Sequence, residues 1–217
     1  MTVLLVISVI VLFLCIDWFA QPKKMHAKFS PKKSAGIAPP MRTPAGLFFA
    51  KSHTWMNVFP SGKLRMGIDD FVGNMMKNPE VRFLKSAGDQ IQKGDPIMVL
   101  AEGKHSLTVR APLDGQIVSI NQSLTQKPEL MRDSLFSEGW AFTIEPKRFA
   151  EVKKFMLGEE AQVWIPGEFQ RLRDLLAGIG TPALATMQDG GMPVSGVLAE
   201  LSEEACKRID QEFMQVS

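Results

Sequence analysis

Few residues in this chain are placed to do chemistry. Its two cysteines, Cys15 and Cys206, and its three histidines, His26, His53 and His105, stand far apart. That count and spacing exclude a tetrathiolate zinc site, a disulfide framework and a helical histidine pair for a metal. There is no tyrosine, so nothing can rest on a phenol. No nucleophile–base pair or phosphate loop is visible, which makes a free-standing enzyme the weakest reading. What stands out is one hairpin. The run Asp95-Pro-Ile-Met-Val-Leu-Ala-Glu102 leads into Gly103-Lys104 and then His105-Ser-Leu-Thr-Val-Arg110. Two apolar runs joined by two residues predict a β-hairpin. Gly at the first central position predicts a type II′ turn, which needs positive φ there. Lys104 then sits at an exposed tip. On spacing alone, a lysine in a turn is ordinarily just a solvated turn residue.

The elements that must hold this hairpin are short. Leu47–Ala50, Trp55–Phe59, Leu64–Ile68, Val81–Leu84, Pro96–Glu102, Ser106–Arg110, Gly115–Ile120 and Ala141–Ile144 read as strands cut by turn residues. Strands so short and so closely spaced predict a small barrel or sandwich. Asp69–Met76 reads as a short helix, capped by Asp69 or Asp70, with Phe71, Met75 and Met76 facing inward. Trp140, Val118 and Leu107 are expected in the core. His53 and Trp55 are read as fixing the opening strand, and Met75-Met76 as packing.

The chain has 217 residues and a net charge of +2, which hides a split. Residues 2–16 carry no charged side chain. From Asp17 to Ile68 one acid faces nine bases, and the remainder is acidic by six charges. A basic collar directly behind an apolar start points to a membrane surface rather than to nucleic acid. Residues 1–20 are read as a retained transmembrane helix, since 19 helical residues reach roughly 28 Å, about one hydrocarbon core. Trp18 suits the interface, and its bulk argues against cleavage after Ala20. The lysines all follow the span, so the body is expected in the cytoplasm. Residues 21–45, with five prolines among lysines, read as an extended tether.

Beyond the strands, Pro146–Met156 and Pro166–Ala177 show helical apolar faces, the second with Pro166 at its first position. Ala183–Met187 and Val194–Leu198 flank a hairpin or loop. Ser202 is placed to cap a helix through Phe213, with Glu203 and Glu204 in its first turn. Some sixty residues are marginal as a separate core, so this extension is expected to dock on the barrel or in a homodimer.

Several ordered motifs resemble glycine cleavage system H proteins. Lys51-Ser-His-Thr-Trp-Met56 is similar to that family's opening motif, and Gly67-Ile-Asp-Asp-Phe71 to its next segment. Gly88-Asp-Gln-Ile-Gln-Lys-Gly-Asp95 resembles the run before its modified hairpin. Lys104 lies eight residues before Pro112 of Ala111-Pro-Leu-Asp-Gly115, as the family's lipoyl-lysine lies before its own proline. Asn121, Leu124, Pro128-Glu-Leu130 and Ser137-Glu-Gly-Trp140 match the rest of the signature. One departure is plain: the family's Glu-Ser-Val before the lysine is Ala101-Glu102-Gly103 here.

The resemblance implies a mainly β protein, a flattened β-barrel of the lipoyl-domain type over residues 46–149. An anchor at 1–20, a tether at 21–45 and a helical extension at 150–217 surround it. It implies lipoate as a covalent cofactor on Lys104, attached by a lipoate-attaching enzyme. It also implies partners that load the arm with an aminomethyl group, unload it to tetrahydrofolate and reoxidise it, the last being dihydrolipoamide dehydrogenase. The protein itself would need no catalytic residue and no metal, because cofactor and partners carry the chemistry. The alternative is an H-like scaffold or adaptor at the membrane that is never lipoylated.

Overall fold

The computed structural model describes residues 43–179 and 196–216. The expected anchor, most of the tether and the segment 180–195 lie outside the described residues. Among the described residues no helix is long and apolar enough to cross a membrane.

In chain order the strands are β1 (Phe48–Ala50), β2 (Thr54–Val58), β3 (Leu64–Ile68), β4 (Glu80–Phe83), β5 (Gln90–Ile91), β6 (Pro96–Glu102), β7 (His105–Arg110), β8 (Gly115–Ile120), β9 (Phe142–Pro146) and β10 (Met156–Leu157). The α-helices are α1 (Asp70–Met75), α2 (Leu130–Asp133), α3 (Gly158–Ile179) and α4 (Glu203–Phe213). One antiparallel sheet runs β10-β1-β2-β3-β9-β8-β5, and a second runs β4-β6-β7. The protein is mainly β, as expected. β7 shows the alternation that drives this: His105, Leu107 and Val109 point inward while Ser106 is exposed and Thr108 and Arg110 are half-buried. The two sheets share one apolar core, and Phe83 of β4 meets Phe142 of β9 edge-on at 5.2 Å.

The expected helix at 69–76 forms, and Asp69 is its cap. Asp69 Oδ1 accepts from the Phe71 and Val72 N–H groups at 3.0 and 3.3 Å. Gly67 has a steric reason. A Cβ there would stand 2.9 Å from the Trp55 indole nitrogen and 3.0 Å from the Gly139 carbonyl.

Of the three expected core residues, Leu107 is fully buried but Val118 and Trp140 are only half-buried. The register of β8 against β9 slips between Ile117 and Ser119. Val118 is the extra residue of that bulge, so Ile117 takes the inward position. Trp140 lies just before β9 with the Arg65 guanidinium 4.9 Å from its ring. The tryptophan that fills the core is Trp55.

The extension also departs from its expected boundaries. Phe149–Lys154 is a 3₁₀ helix, and β10 then pairs with β1 through Phe48↔Leu157 and Phe49↔Met156. α3 begins at Gly158, with Pro166 inside it rather than at its start. Ala161 and Ile165 lie on the same buried stripe as Phe169, Leu172 and Leu176, so apolar packing carries the helix through the proline. Ser202 caps α4 as expected, accepting from the Ala205 N–H at 3.2 Å. α3 and α4 both dock within the same chain: α4 packs on β7, and α3 packs on α1, β1 and α4.

Candidate functional site

Lys104 stands at the tip of the β6–β7 hairpin. Glu102 pairs with His105, which leaves Gly103-Lys104 as a two-residue loop. Gly103 has φ +61° and Lys104 does not have positive φ, the pattern of a type II′ turn. The lysine is exposed, and among the described residues its side chain has no hydrogen bond or ion pair. The turn is braced from the side. The Glu102 carboxylate accepts from the backbone N–H groups of Lys77 and Asn78 at 3.1 and 2.7 Å, which ties the hairpin to the loop after α1.

β7 is the edge of its sheet, and α4 covers that edge. The Thr108 N–H donates to Asp210 Oδ1 at 2.6 Å, so a helix carboxylate takes the place of a missing strand. Between hairpin and helix lies a cavity of about 240 Å³ bounded by Lys104, His105, Thr108, Glu203, Cys206 and Asp210. His105 is buried, and neither ring nitrogen has a partner. Burial pushes the Cys206 thiol up to about 11, against a downward pull from the nearby Lys104 ammonium. The thiol is therefore protonated at neutral pH and a poor nucleophile.

A second polar cluster is sealed inside. His53 Nδ1 is 2.8 Å from Asp69 Oδ2, and His53 Nε2 is 3.8 Å from Glu168 Oε2, an ion-pair distance too long for a hydrogen bond. The imidazole is sandwiched between Phe71 at 4.0 Å and Trp164 at 4.9 Å. Burial lowers the His53 pKa, but the Asp69 and Glu168 carboxylates outweigh it and hold it above 6.5. Burial likewise works against the Glu168 carboxylate, while His53 and Arg171 bring its pKa below 4.5. Arg171 Nη1 reaches Glu168 Oε2 at 2.7 Å. His53 and Asp69 have the types of an acid–base pair, but both are fully buried. No substrate reaches them, and their role is to hold elements together, as expected for His53.

Sequence reasoning located Lys104, Gly103 and Asp69. It did not find Glu168, Arg171, Cys206 or Asp210 as members of these clusters. Glu168 meets His53, and Asp210 meets Thr108 102 residues away, across separations that no local pattern marks, and the i,i+3 spacing of Glu168 and Arg171 was the one local signal available.

The family described as "Glycine cleavage H-protein" matches residues 47–166. The H protein of Shewanella halifaxensis is 29% identical over 125 residues, 58% of this chain and 97% of its own. That of Geobacillus thermodenitrificans is 32% identical over 120 residues, 55% of this chain and 94% of its own. Among solved structures, a glycine cleavage system H protein from Mycobacterium marinum matches with TM-score 0.42 and 21% identity, over 48% of this chain and 86% of that one.

Proposed function

Because the chain belongs to the glycine cleavage H-protein family, we propose that it is a lipoyl carrier with Lys104 as the modified residue, held at a membrane by residues 1–20. Proteins of this family are lipoyl carriers without catalytic activity of their own, and this chain is a carrier rather than an enzyme. The observation that supports Lys104 is its place: an exposed amine, unpaired among the described residues, on a braced two-residue turn.

The site fits the group. The turn leaves the amine in solvent, where a carboxyl can be joined to it as an amide. Bound there, lipoate supplies a long arm ending in a dithiolane that exchanges groups and electrons with partner enzymes. The chain's own part is mechanical. Gly103 makes the sharp turn possible, Glu102 pins it to Lys77 and Asn78, and Asp210 stops the edge strand from pairing elsewhere. The arm then swings from a fixed point, so the cost of ordering its base is met on folding rather than at each encounter.

Peptide mass spectrometry after expression in a lipoate-competent host tests this. A lipoyl mass increment is expected on the Lys104 peptide and is absent in Lys104→Arg. An unmodified Lys104 beside a fully modified authentic H protein, with the native attaching enzyme present, refutes it.

One observation favours the second reading, a scaffold that is never lipoylated. The carboxylate two residues before the lysine, Glu102, is turned toward the chain's own backbone, and the residues at the family's Glu and Val positions are Ala101 and Gly103. An attaching enzyme that grips those side chains would find neither. The membrane part of the proposal rests on the uncharged run at 2–16 and the lysines behind it, and it puts the body in the cytoplasm. Protease added to intact cells should leave the body whole; digestion from outside, or an N-terminus after Ala20, contradicts it.

A further inference from the structure

A second cavity lies away from Lys104. It measures about 370 Å³ and is bounded by Lys51, Lys93, Arg148 and Lys154 together with the acids Asp114 and Glu151, a net charge of +2. Arg148 Nη2 is 2.5 Å from Glu151 Oε1, and the Lys93 backbone N–H donates to Asp114. Lys51 and Lys154 are exposed, and neither has an ion pair among the described residues. Ser52 also lines the cavity; it is buried and its hydroxyl has no partner. A buried hydroxyl left unsatisfied beside a cationic rim suits an anionic oxygen.

Exposed apolar residues lie close in sequence to the rim residues 148–156 of this cavity. Of the four large hydrophobic side chains exposed among the described residues, three fall between 149 and 163: Phe149 at 47%, Leu157 at 48% and Val163 at 81%. Phe149 begins the 3₁₀ helix that supplies Glu151 and Lys154 to the rim, directly after Arg148, and Leu157 is on the edge strand β10. The stretch 147–154 holds four basic residues and one acid. Glu159 and Glu160 begin α3 beyond it, and Glu160 is turned back to accept from the Leu157 N–H at 3.0 Å. The described body also starts here. The Thr43 carbonyl accepts from Gln162 of α3 at 3.3 Å.

We infer that this end of the body is a membrane-contact face. The cavity takes the phosphate of an anionic phospholipid, and Phe149, Leu157 and Val163 rest among the headgroups. Basic residues around exposed apolar ones match a bilayer with anionic lipid, where each Lys or Arg contributes about 1 kcal/mol, roughly a fivefold change in occupancy. The geometry also serves the carrier. Lys93 and Asp114 flank the open end of the β6–β7 hairpin and Lys104 is at its tip, six strand residues or roughly 20 Å away. A body lying on this face points Lys104 away from the bilayer, toward soluble partners.

The inference builds on the anchored reading above, and its test separates the two. The full chain is placed in nanodiscs of phosphatidylcholine alone, or of phosphatidylcholine with phosphatidylglycerol, and amide hydrogen exchange is followed. Retention in the neutral discs reports on residues 1–20. Contact of this face is reported by residues 147–157, whose exchange should be at least about fivefold slower in the anionic discs. High salt should abolish the difference, as should Lys51→Gln with Lys154→Gln, and Phe149→Ser should reduce it. Lys51, Lys154 and Phe149 are exposed, so these variants keep the fold, and unchanged exchange in β6 and β7 checks that. Equal exchange in both discs overturns the inference. So does equal protection by inorganic phosphate in neutral discs, which would mark a free-anion site with no bilayer contact.

Discussion

Trp55 and Trp140 both belong to motifs that mark the family, and they do different work. Trp55 is fully buried with its ring 5.8 Å from Phe136, while Trp140 is half-buried under Arg65. Trp55→Ala should cost ~3–5 kcal/mol, the range for a large aromatic removed from a packed core. Trp140→Ala loses part of a ring contact and a cation–π pair, about 1–2 kcal/mol. Denaturant melts of the two variants check the order; equal losses would mean that Trp140 is core after all. Sequence could place both aromatics but not rank them. Trp140 lies in the loop just before β9, and its exposure there leaves no mark in alternation. Lys104 was legible for the opposite reason: a Gly-Lys pair between two apolar runs specifies its own turn.

At the level of elements, α4 is the part that sequence described well alone and poorly in context. Its cap and apolar face are local, so Ser202 and the helix through Phe213 could be read directly. Its seat on β7 could not, because Asp210 and Thr108 are 102 residues apart in sequence. β5 and β10 were missed since two paired residues carry no periodicity. The seat has a natural reporter in Cys206, which is buried and whose pKa is raised to about 11. In a Cys15→Ser background, iodoacetamide should alkylate Cys206 very slowly at pH 7 in the folded chain and rapidly in denaturant. Asp210→Ala leaves the Thr108 N–H without its partner, a loss of roughly 1–3 kcal/mol for a bond to a charged group. It should speed alkylation roughly tenfold or more if the helix lifts as a unit. Labelling as slow as in the unsubstituted chain would show that apolar packing alone holds α4.

The whole molecule joins a family barrel to an extension that lies largely beyond the family match, which ends at residue 166. His53 is where they lock. It comes from the opening motif and is held by Asp69 of the barrel side, while Trp164 and Glu168 of α3 and Phe213 of α4 close over it. A charged imidazole between two carboxylates makes that closure depend on pH. The His53 pKa is raised above 6.5 in the fold, so its contribution to stability is fully present below about pH 6.5. It is lost as pH rises through the raised folded value. The Glu168 pKa is lowered, so its contribution is present above about pH 4.5 and lost as pH falls through its folded value. Stability from this cluster should therefore be greatest between about pH 4.5 and 6.5 and decline toward pH 8.5. Glu168→Gln removes one of the two carboxylates that raise His53, so its alkaline decline should be shallower than that of the unsubstituted chain. The His53 ring shift, followed by NMR, should titrate at lower pH in the variant. Denaturant melts across this range give the slopes. A stability that rises from pH 6 to 8.5, or the same slope in both chains, would mean that Glu168 does not hold His53 charged. The extension would then be fastened by its apolar stripe alone.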